Sequence, residues 1–490
     1  MWRNRFISFC LLFLLCWAVS GCVSKRAEKT STGYAIEINL IEGRIGDSLY
    51  LCRYHGYKAM RIDSLLVINE QPLIFGGKKD LLAGMYTVKS KENSDKDIDF
   101  FISNGAPQHF NITYTPAIGM PSVKVKGSPE NEAFADYVSF STLKEQEKLH
   151  LESYFKDPSL PPDSAVVLLQ RISSLKQEMK DRNAAVEREY PGTTFALFAK
   201  IIQELEVSLP IIPPTVADRD SFTRAYYFDF YNKHYLDNVD FSDERFIRMP
   251  FMINMLYFYF TRIVSPEAAA LNERVDFVME KAKANRSVYE FIVRNLYDLF
   301  RTESYPEMEK VAIHIGDNYV MNDSGNWKDK EYVARMSVAI RAAKLNPLGQ
   351  QATDLHLQDF DGENISLYDV SAPYTLVYLY DPDCGSCRII TPEVYKIYLR
   401  YREKGFRVYA VYIESNKKQW KKYIDEQHFE WINVWDATGS ENLYDKYDIH
   451  AIPTMLLLNK DKMVIGKDLM PDVLDYMLER LLDDTADTRG

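Results

Sequence analysis

The chain has 490 residues, a formal net charge of −11 and a hydrophobic content of 46%. This length predicts about three domains, and the hydrophobic content is ample for their cores. The acidic balance argues against nucleic acid as a partner.

The N-terminus has the pattern of an export signal. Arg3 and Arg5 precede a nearly continuous apolar run from Phe6 to Val19. The run is short for a membrane-spanning helix, which needs about 20 residues, and has the length of a signal-peptide core. The sequence Val-Ser-Gly-Cys ending at Cys22 resembles a bacterial lipoprotein signal, in which that cysteine carries lipid. We therefore expect a lipid-anchored protein of the bacterial envelope that faces the periplasm. The alternative is an uncleaved N-terminal anchor.

Residues 1–21 are thus predicted as a signal peptide and residues 22–33 as a flexible tether, since the latter are small and polar. Residues 34–127 show β-strand alternation, for example in Ala35–Ile41 and Asp97–Ile102, with Gly, Asn and Pro clusters between the strands. Short strands at this spacing predict a small antiparallel β-sandwich-like domain. It shows no catalytic group of residues, so its expected role is spacing or partner binding.

Residues 128–345 are predicted as an all-α domain. Ser128 can cap the first helix and Pro129 fits its first turn. Further helices are predicted over Asp163–Glu189, Thr194–Val207, Asp218–Tyr235 and Lys328–Leu345. Two aromatic stripes, Tyr226–Tyr231 and Met255–Thr261, indicate helix core, with a peptide-binding groove as the alternative.

The most informative stretch is Cys384-Gly385-Ser386-Cys387. It follows a predicted buried strand, Tyr374–Tyr380, and opens a segment with helical apolar spacing. Unpaired N–H groups and the helix dipole stabilise a thiolate at such a helix start, and the thiolate is the reactive form. The second cysteine lies one turn further on, close enough to close a disulfide. This arrangement suits thiol–disulfide exchange.

From these residues onward the chain resembles thioredoxin-like proteins, over about residues 346–485. Pro392 follows Cys387 by five positions, and the stretch around Pro453 resembles the cis-proline loop of that family. The resemblance implies an α/β thioredoxin-like fold in which Cys384 attacks a disulfide and Cys387 resolves the mixed disulfide. It also implies a redox-active disulfide between these two cysteines. The catalytic residues carried over from the family are Cys384, Cys387 and Pro453, which shapes the substrate groove. Supporting or groove-forming residues are Gly385, Ser386, Ile452 and Thr454.

The spacing of about 66 residues between Cys387 and Pro453 resembles the membrane-associated, TlpA/ResA-like relatives. These carry an extra helix and strand, expected here at about Asn416–Val434. The preceding β and helical segments resemble parts of similar envelope lipoproteins, which implies an architecture and no activity. The implied partners are protein disulfide or dithiol substrates, the membrane through the lipid, and a redox partner; neither a cofactor nor a metal is implied.

Two positions depart from the thioredoxin pattern. Tyr378 stands where thioredoxins place a buried carboxylate, and Asp383 stands where a tryptophan usually precedes the first cysteine. A carboxylate beside Cys384 opposes ionisation of the thiol. This predicts a Cys384 pKa closer to the near-neutral value of thioredoxin than to that of strong oxidants, and it favours the reducing direction.

Other interpretations of the cysteine pair are weaker. A zinc site needs further ligands, yet His356, His428 and His450 occur singly. A structural disulfide within so short a loop would be a poor cross-link. A peroxiredoxin needs Thr or Ser three residues before its reactive cysteine, where this chain has Asp381. The remaining alternative is a non-catalytic binding or scaffolding lipoprotein with a thioredoxin fold.

Overall fold

The structure is a computed structural model that describes residues 33–40, 48–67, 72–90, 97–116, 122–155, 160–302, 305–447, 449 and 451–487. The predicted signal peptide, the lipid-bearing Cys22, all of the tether except Gly33, and His450 lie outside these residues. Within the described ranges no helix has both the length and the apolar character needed to cross a membrane.

The chain divides into two compact units. The first contains the residues up to Val264 together with Val278–Phe291, and the second contains Ser265–Phe277 together with everything from Ile292 onward. The helices predicted over 128–345 are therefore distributed over both units.

The N-terminal part of the first unit is rich in sheet. Its strands are β1 (Tyr34–Leu40), β2 (Ser48–His55), β3 (Lys58–Leu66), β4 (Leu73–Gly77), β5 (Gly84–Ser90), β6 (Ile98–Ile102), β7 (His109–Thr115) and β8 (Ser122–Lys126). They form two four-stranded sheets with the orders β4-β1-β7-β8 and β3-β2-β5-β6. Alternate residues of both sheets, such as Ile36, Leu51 and Phe100, enter one buried cluster. The expectation of purely antiparallel strands is wrong at one place, because β1 pairs parallel with β7.

Helices follow the sheets. They are α1 (Pro129–Phe155), α2 (Pro162–Glu189), α3 (Thr194–Ile202), α4 (Arg219–His234) and α5 (Pro250–Phe258), and then α6 (Ala268–Ala282) and α7 (Arg286–Arg301), which contribute residues to both units. Phe134 of α1 and Phe195 of α3 stack around Phe101 of β6, so aromatic contacts fasten these helices to the sheet.

The two aromatic stripes have different environments. Leu256 and Tyr259, from the second stripe, are fully buried as predicted. The first stripe lies on α4, which has no buried residue, and Phe228 is 47% exposed. The prediction of helix core is therefore wrong for Tyr226–Tyr231. Its six consecutive residues, Tyr-Tyr-Phe-Asp-Phe-Tyr, point in all directions around the helix, so they cannot all face one core.

The second unit contains α8 (Pro306–Ile315) and α9 (Lys330–Ala343), followed by a seven-stranded sheet. Its strands are β9 (His356–Gln358), β10 (Asn364–Ser366), β11 (Tyr374–Tyr380), β12 (Phe406–Tyr412), β13 (Ile432–Trp435), β14 (Thr454–Asn459) and β15 (Val464–Lys467), in the order β10-β9-β13-β12-β11-β14-β15. The helices among these strands are α10 (Gly385–Tyr401), α11 (Lys417–Gln427), α12 (Leu443–Lys446) and α13 (Pro471–Asp487). The predicted extra helix and strand are confirmed as α11 and β13.

Strand β11 lies in the interior of this sheet, parallel to β12 and antiparallel to β14. Leu376 and Tyr378 enter the buried cluster on one face, while Val377 and Leu379 enter the cluster on the other. Apolar layers on both faces explain why the strand reads as one continuous apolar run. The strand is thus a fixed platform for the residues that follow it.

A partly buried ion pair links α8 to the sheet within this unit. Lys467 Nζ lies 3.1 Å from Glu309 Oε1, and the two side chains are 12% and 14% exposed. The same ammonium donates to the carbonyl of Leu345 at 2.9 Å and to that of Ala343 at 3.2 Å. Glu309 Oε2 accepts the backbone N–H of Leu348. These contacts fasten the end of α9 and the segment after it to β15.

Candidate active site at the start of helix α10

The first cysteine lies at the junction between β11 and α10. The turn Asp381-Pro382-Asp383 reverses the chain, and the Cys384 N–H donates to the carbonyl of Asp381 at 3.1 Å. Cys384 is the N-cap residue of α10 with an extended backbone, and its carbonyl accepts the N–H of Arg388 at 3.1 Å. The sulfur therefore lies where the first N–H groups of the helix lack intrahelical partners.

The two thiols have opposite environments. Both are free in the structure; Cys384 is partly exposed, whereas Cys387 is fully buried. Desolvation opposes ionisation of Cys384, but hydrogen bonds from the backbone and side chain of Cys387 and from the backbone of Ser386 outweigh it, so the pKa of Cys384 lies below the usual thiol value. Burial dominates for Cys387 and raises its pKa to about 12. At neutral pH the nucleophile of the pair is therefore Cys384.

The loop before β14 lies against the exposed sulfur. The Ile452–Pro453 peptide bond is cis, and Cys384 Sγ lies 3.6 Å from the carbonyl oxygen of Ile452. Thr454 donates from Oγ1 to the carbonyl of Ala451 at 2.7 Å. The structure thus brings Ile452 directly to Cys384, with Pro453 and Thr454 next in the chain.

Gly385 and Ser386 form the exposed side of the site. Both residues are exposed, and a Cβ atom added to Gly385 would meet only open space among the described residues. Solvent therefore reaches this side of Cys384.

Hydroxyl groups lie behind the buried sulfur. Thr391 Oγ1 donates to the carbonyl of Cys387 at 2.7 Å and lies 2.7 Å from the hydroxyl of Tyr378. A threonine hydroxyl has one hydrogen, so Tyr378 must be the donor in the second contact. Desolvation raises the pKa values of Tyr378 and Tyr380 well above the usual tyrosine value, although the Thr391 hydroxyl and Trp420 N–H, respectively, partly offset it. Both tyrosines are therefore neutral at physiological pH.

The acidic turn differs in detail from the sequence-based expectation. Asp383, expected to oppose ionisation of Cys384, lies 3.4 Å from the guanidinium of Arg388. The carboxylate that does oppose ionisation of Cys384 is Asp381. Arg388 also donates to the carbonyl of Pro382 at 3.0 Å. Arg388 was not among the predicted site residues, although its position four residues after Cys384 places it one helical turn away.

An open groove of about 400 Å³ runs beside this turn. Asp383 and Arg388 line one wall, and Lys422, Tyr423 and Glu426 of α11 line the other. The inserted helix α11 therefore extends the surface next to the nucleophile. Among the described residues no group of three or more His, Cys, Asp or Glu side chains could hold a metal ion.

A central strand, a CxxC pair at the following helix start and a facing cis-proline loop together define a thioredoxin-like domain. Residues 348–467 match the AhpC/TSA family, and residues 170–342 match a domain of unknown function, DUF5106. The C-terminal domain of this chain is a thioredoxin-like domain related to the thiol–disulfide oxidoreductases.

Several relatives carry that description. A thiol-disulfide oxidoreductase ResA of Halalkalibacterium halodurans is 26% identical over 117 residues, which cover 24% of this chain and 65% of that protein. ResA of Bacillus anthracis is 21% identical over 134 residues, covering 26% of this chain and 76% of that protein. The similarity thus spans only part of these relatives and about a quarter of this chain.

Solved structures are also similar to parts of this chain. A domain of a possible thiol-disulfide isomerase from Cytophaga hutchinsonii is 34% identical and covers 30% of this chain and 99% of its own, with a TM-score of 0.28. A thioredoxin-like protein from Bacteroides caccae is 24% identical and covers 56% of this chain and 99% of its own, with a TM-score of 0.40.

Proposed function

We propose that this chain is an envelope-anchored thiol–disulfide oxidoreductase that exchanges disulfides with protein substrates through Cys384 and Cys387. The observation that carries the proposal is the contrast between the two thiols. The sulfur of Cys384 is accessible, has a lowered pKa and lies 3.6 Å from the cis-proline loop, whereas Cys387 is buried and protonated. Such a pair assigns attack to one sulfur and resolution to the other.

In the reducing direction, the Cys384 thiolate attacks one sulfur of a substrate disulfide. A Cys384–substrate disulfide forms, and the other substrate sulfur leaves as a thiolate that takes a proton from water. Cys387 then loses its proton and attacks Cys384, which releases the second substrate sulfur as a thiol. Two electrons pass from the protein to the substrate, and Cys384 and Cys387 become joined. A separate redox partner must reduce this disulfide.

We favour the reducing direction because Asp381 opposes thiolate formation at Cys384 and so limits how far its pKa falls. Very low thiol pKa values accompany the strongest oxidants. Equilibration of the pair with glutathione mixtures of known potential tests this. A value near −270 mV, as in thioredoxin, supports a reductase, and one near −120 mV, as in the strong oxidant DsbA, contradicts it.

Reduction of insulin disulfides by the chain from residue 23 onward tests the activity. We expect turnover by the parent chain, loss of turnover in Cys384→Ser, and parental turnover in Cys52→Ser. Cys52 is a suitable control because it too is free of a disulfide, but it is buried on β2, in the other unit. Equal rates for the parent and Cys384→Ser would contradict the enzyme proposal and leave a binding or scaffolding role.

A trapping experiment can identify the substrates. In Cys387→Ser the second step cannot occur, so clients should remain joined to Cys384 and be identifiable by mass spectrometry. The double variant Cys384→Ser, Cys387→Ser is the control and should trap none.

The anchor is a separate part of the proposal, supported by the sequence before Cys22. Radiolabelled palmitate should enter the expressed parent chain, and Cys22→Ser should not incorporate it. Labelling of both chains alike would contradict lipid attachment at this residue.

A further inference from the structure

A second potential binding site lies in the first unit, away from the cysteine pair. A cavity of about 170 Å³ lies among α1, α2, the end of α3 and α5. Its walls are mainly apolar. They include Leu175 and Met179 of α2, Phe198 and Ile201 of α3, and Phe251 and Met255 of α5.

Charged residues at this cavity are neutralised in pairs. Lys144 Nζ lies 2.5 Å from Glu178, Lys148 Nζ lies 3.3 Å from Glu145 and Lys176 Nζ lies 3.6 Å from Glu204, while Lys180 contacts Glu206. Each lysine that lines the cavity therefore has a carboxylate partner. Two of these carboxylates, Glu145 and Glu204, belong to the lining, and the other two, Glu178 and Glu206, lie outside it. No lysine of the lining is therefore left unpaired to attract an anion.

The hydrogen bonding of one polar group inside the cavity is incomplete. Tyr137 donates from its hydroxyl to Asn183 Oδ1 at 2.7 Å, so this contact is satisfied. Ser141, only 2% exposed, lies close enough to the Tyr137 hydroxyl to offset part of the rise that desolvation causes in the pKa of that group. Its Oγ nevertheless completes no hydrogen bond of normal geometry with any described residue. A buried hydroxyl without a partner is unfavourable, and a ligand that supplies one removes that cost.

We propose that this cavity binds an uncharged, largely apolar small molecule whose single hydroxyl or carbonyl group hydrogen-bonds Ser141. Apolar walls with a few placed polar groups are typical of small-molecule sites. A charged ligand would lose its hydration against these walls without a free counter-charge. The site is independent of disulfide exchange, so it stands or falls separately from the activity proposed above.

Binding of the uncharged fluorescent dye N-phenyl-1-naphthylamine to the chain from residue 23 onward tests the site. We expect saturable binding that 1-octanol displaces at least 10-fold more effectively than octanoate or octylammonium. Leu175→Trp fills the cavity and should weaken dye binding at least 10-fold. Leu169→Trp, on the same helix at a position 50% exposed and outside the lining, should leave dye binding unchanged.

Ser141→Ala tests the hydrogen bond with less risk to folding. We expect octanol to compete about 2- to 10-fold less effectively in this variant, the range for one hydrogen bond. Ser139→Ala is the matched control, since Ser139 donates to the carbonyl of Ala135 on the same helix and does not line the cavity. Failure of the dye to saturate, unaltered binding in a folded Leu175→Trp, or equal competition by octanoate would overturn the proposal. Should Leu175→Trp not fold, equal octanol competition in Ser141→Ala and the parent would overturn it.

Discussion

Replacement of Lys467 by methionine should strongly destabilise the second unit. The substitution keeps most of the aliphatic volume but removes the cation 3.1 Å from Glu309, leaving a carboxylate that is only 14% exposed. Loss of one partner from a buried ion pair costs about 3–5 kcal/mol. Because some solvent reaches both groups here, we expect about 3 kcal/mol, at the lower end of that range.

Urea denaturation followed by tryptophan fluorescence is a suitable assay. The four described tryptophans, Trp327, Trp420, Trp431 and Trp435, all belong to the second unit, so their emission reports its unfolding. In a chain from residue 23 onward the two tryptophans of the signal sequence are absent.

Two comparisons make the result decisive. Lys310 lies on the same helix as Glu309 and pairs with Glu307, and these two side chains are 46% and 42% exposed. Lys310→Met breaks this ion pair and should lower the free energy of unfolding by less than about 1 kcal/mol. The double variant Glu309→Met, Lys467→Met should be more stable than Lys467→Met alone, because no buried charge remains. A loss from Lys467→Met no larger than that from Lys310→Met would refute the reasoning.

Three further outcomes can be checked separately. The pH midpoint for modification of Cys384 by iodoacetamide should lie below that of an ordinary thiol, while Cys387 stays unmodified to about pH 10. Comparable labelling of both cysteines at pH 8, measured by mass spectrometry, would contradict the assigned order of attack. Thr391→Val should lower the free energy of unfolding by about 1–3 kcal/mol because it leaves the buried Tyr378 hydroxyl unsatisfied, and Tyr378→Phe should lower it by only about 0.5–1.5 kcal/mol. If urea denaturation gave the larger loss for Tyr378→Phe, Tyr378 would not be the donor. Desolvation raises the pKa of Asp99 to about 6, so the folded chain holds that proton more tightly than the unfolded chain. The free energy of unfolding should therefore fall as pH rises from about 4 to about 6. Asp99→Asn should remove that fall, measured by denaturation followed by circular dichroism.

Local sequence patterns were sufficient for much of the second unit. β11 has apolar residues on both faces, and Cys384 follows it at a helix start. The strand, the turn and the helix could therefore be predicted from neighbouring residues. The inserted helix and strand were also predictable, because the distance from Cys387 to Pro453 resembles that of the TlpA/ResA-like relatives, which carry these elements. Each of these features depends on short-range periodicity or on spacing within one domain.

Features set by distant residues were not predictable. Glu309 and Lys467 are 158 positions apart, and either side chain could equally have faced solvent. The environment of α4 depends on which neighbours cover it, and aromatic composition alone does not reveal this. Asp381 opposes ionisation of Cys384, whereas Asp383 contacts Arg388, and the sequence alone did not indicate either contact.

The complete burial of Cys387 protects it from thiol reagents, so whether modification of Cys384 can be reversed depends on the bond that the reagent forms. A reagent that caps Cys384 through a sulfur–sulfur bond leaves a group that the buried thiol can expel, and reduction of the resulting Cys384–Cys387 disulfide then restores the active dithiol. A reagent that forms a carbon–sulfur bond offers no such exit, and inactivation would be permanent. The two kinds of modifier should therefore be distinguished by whether a reductant restores activity after the free reagent is washed away.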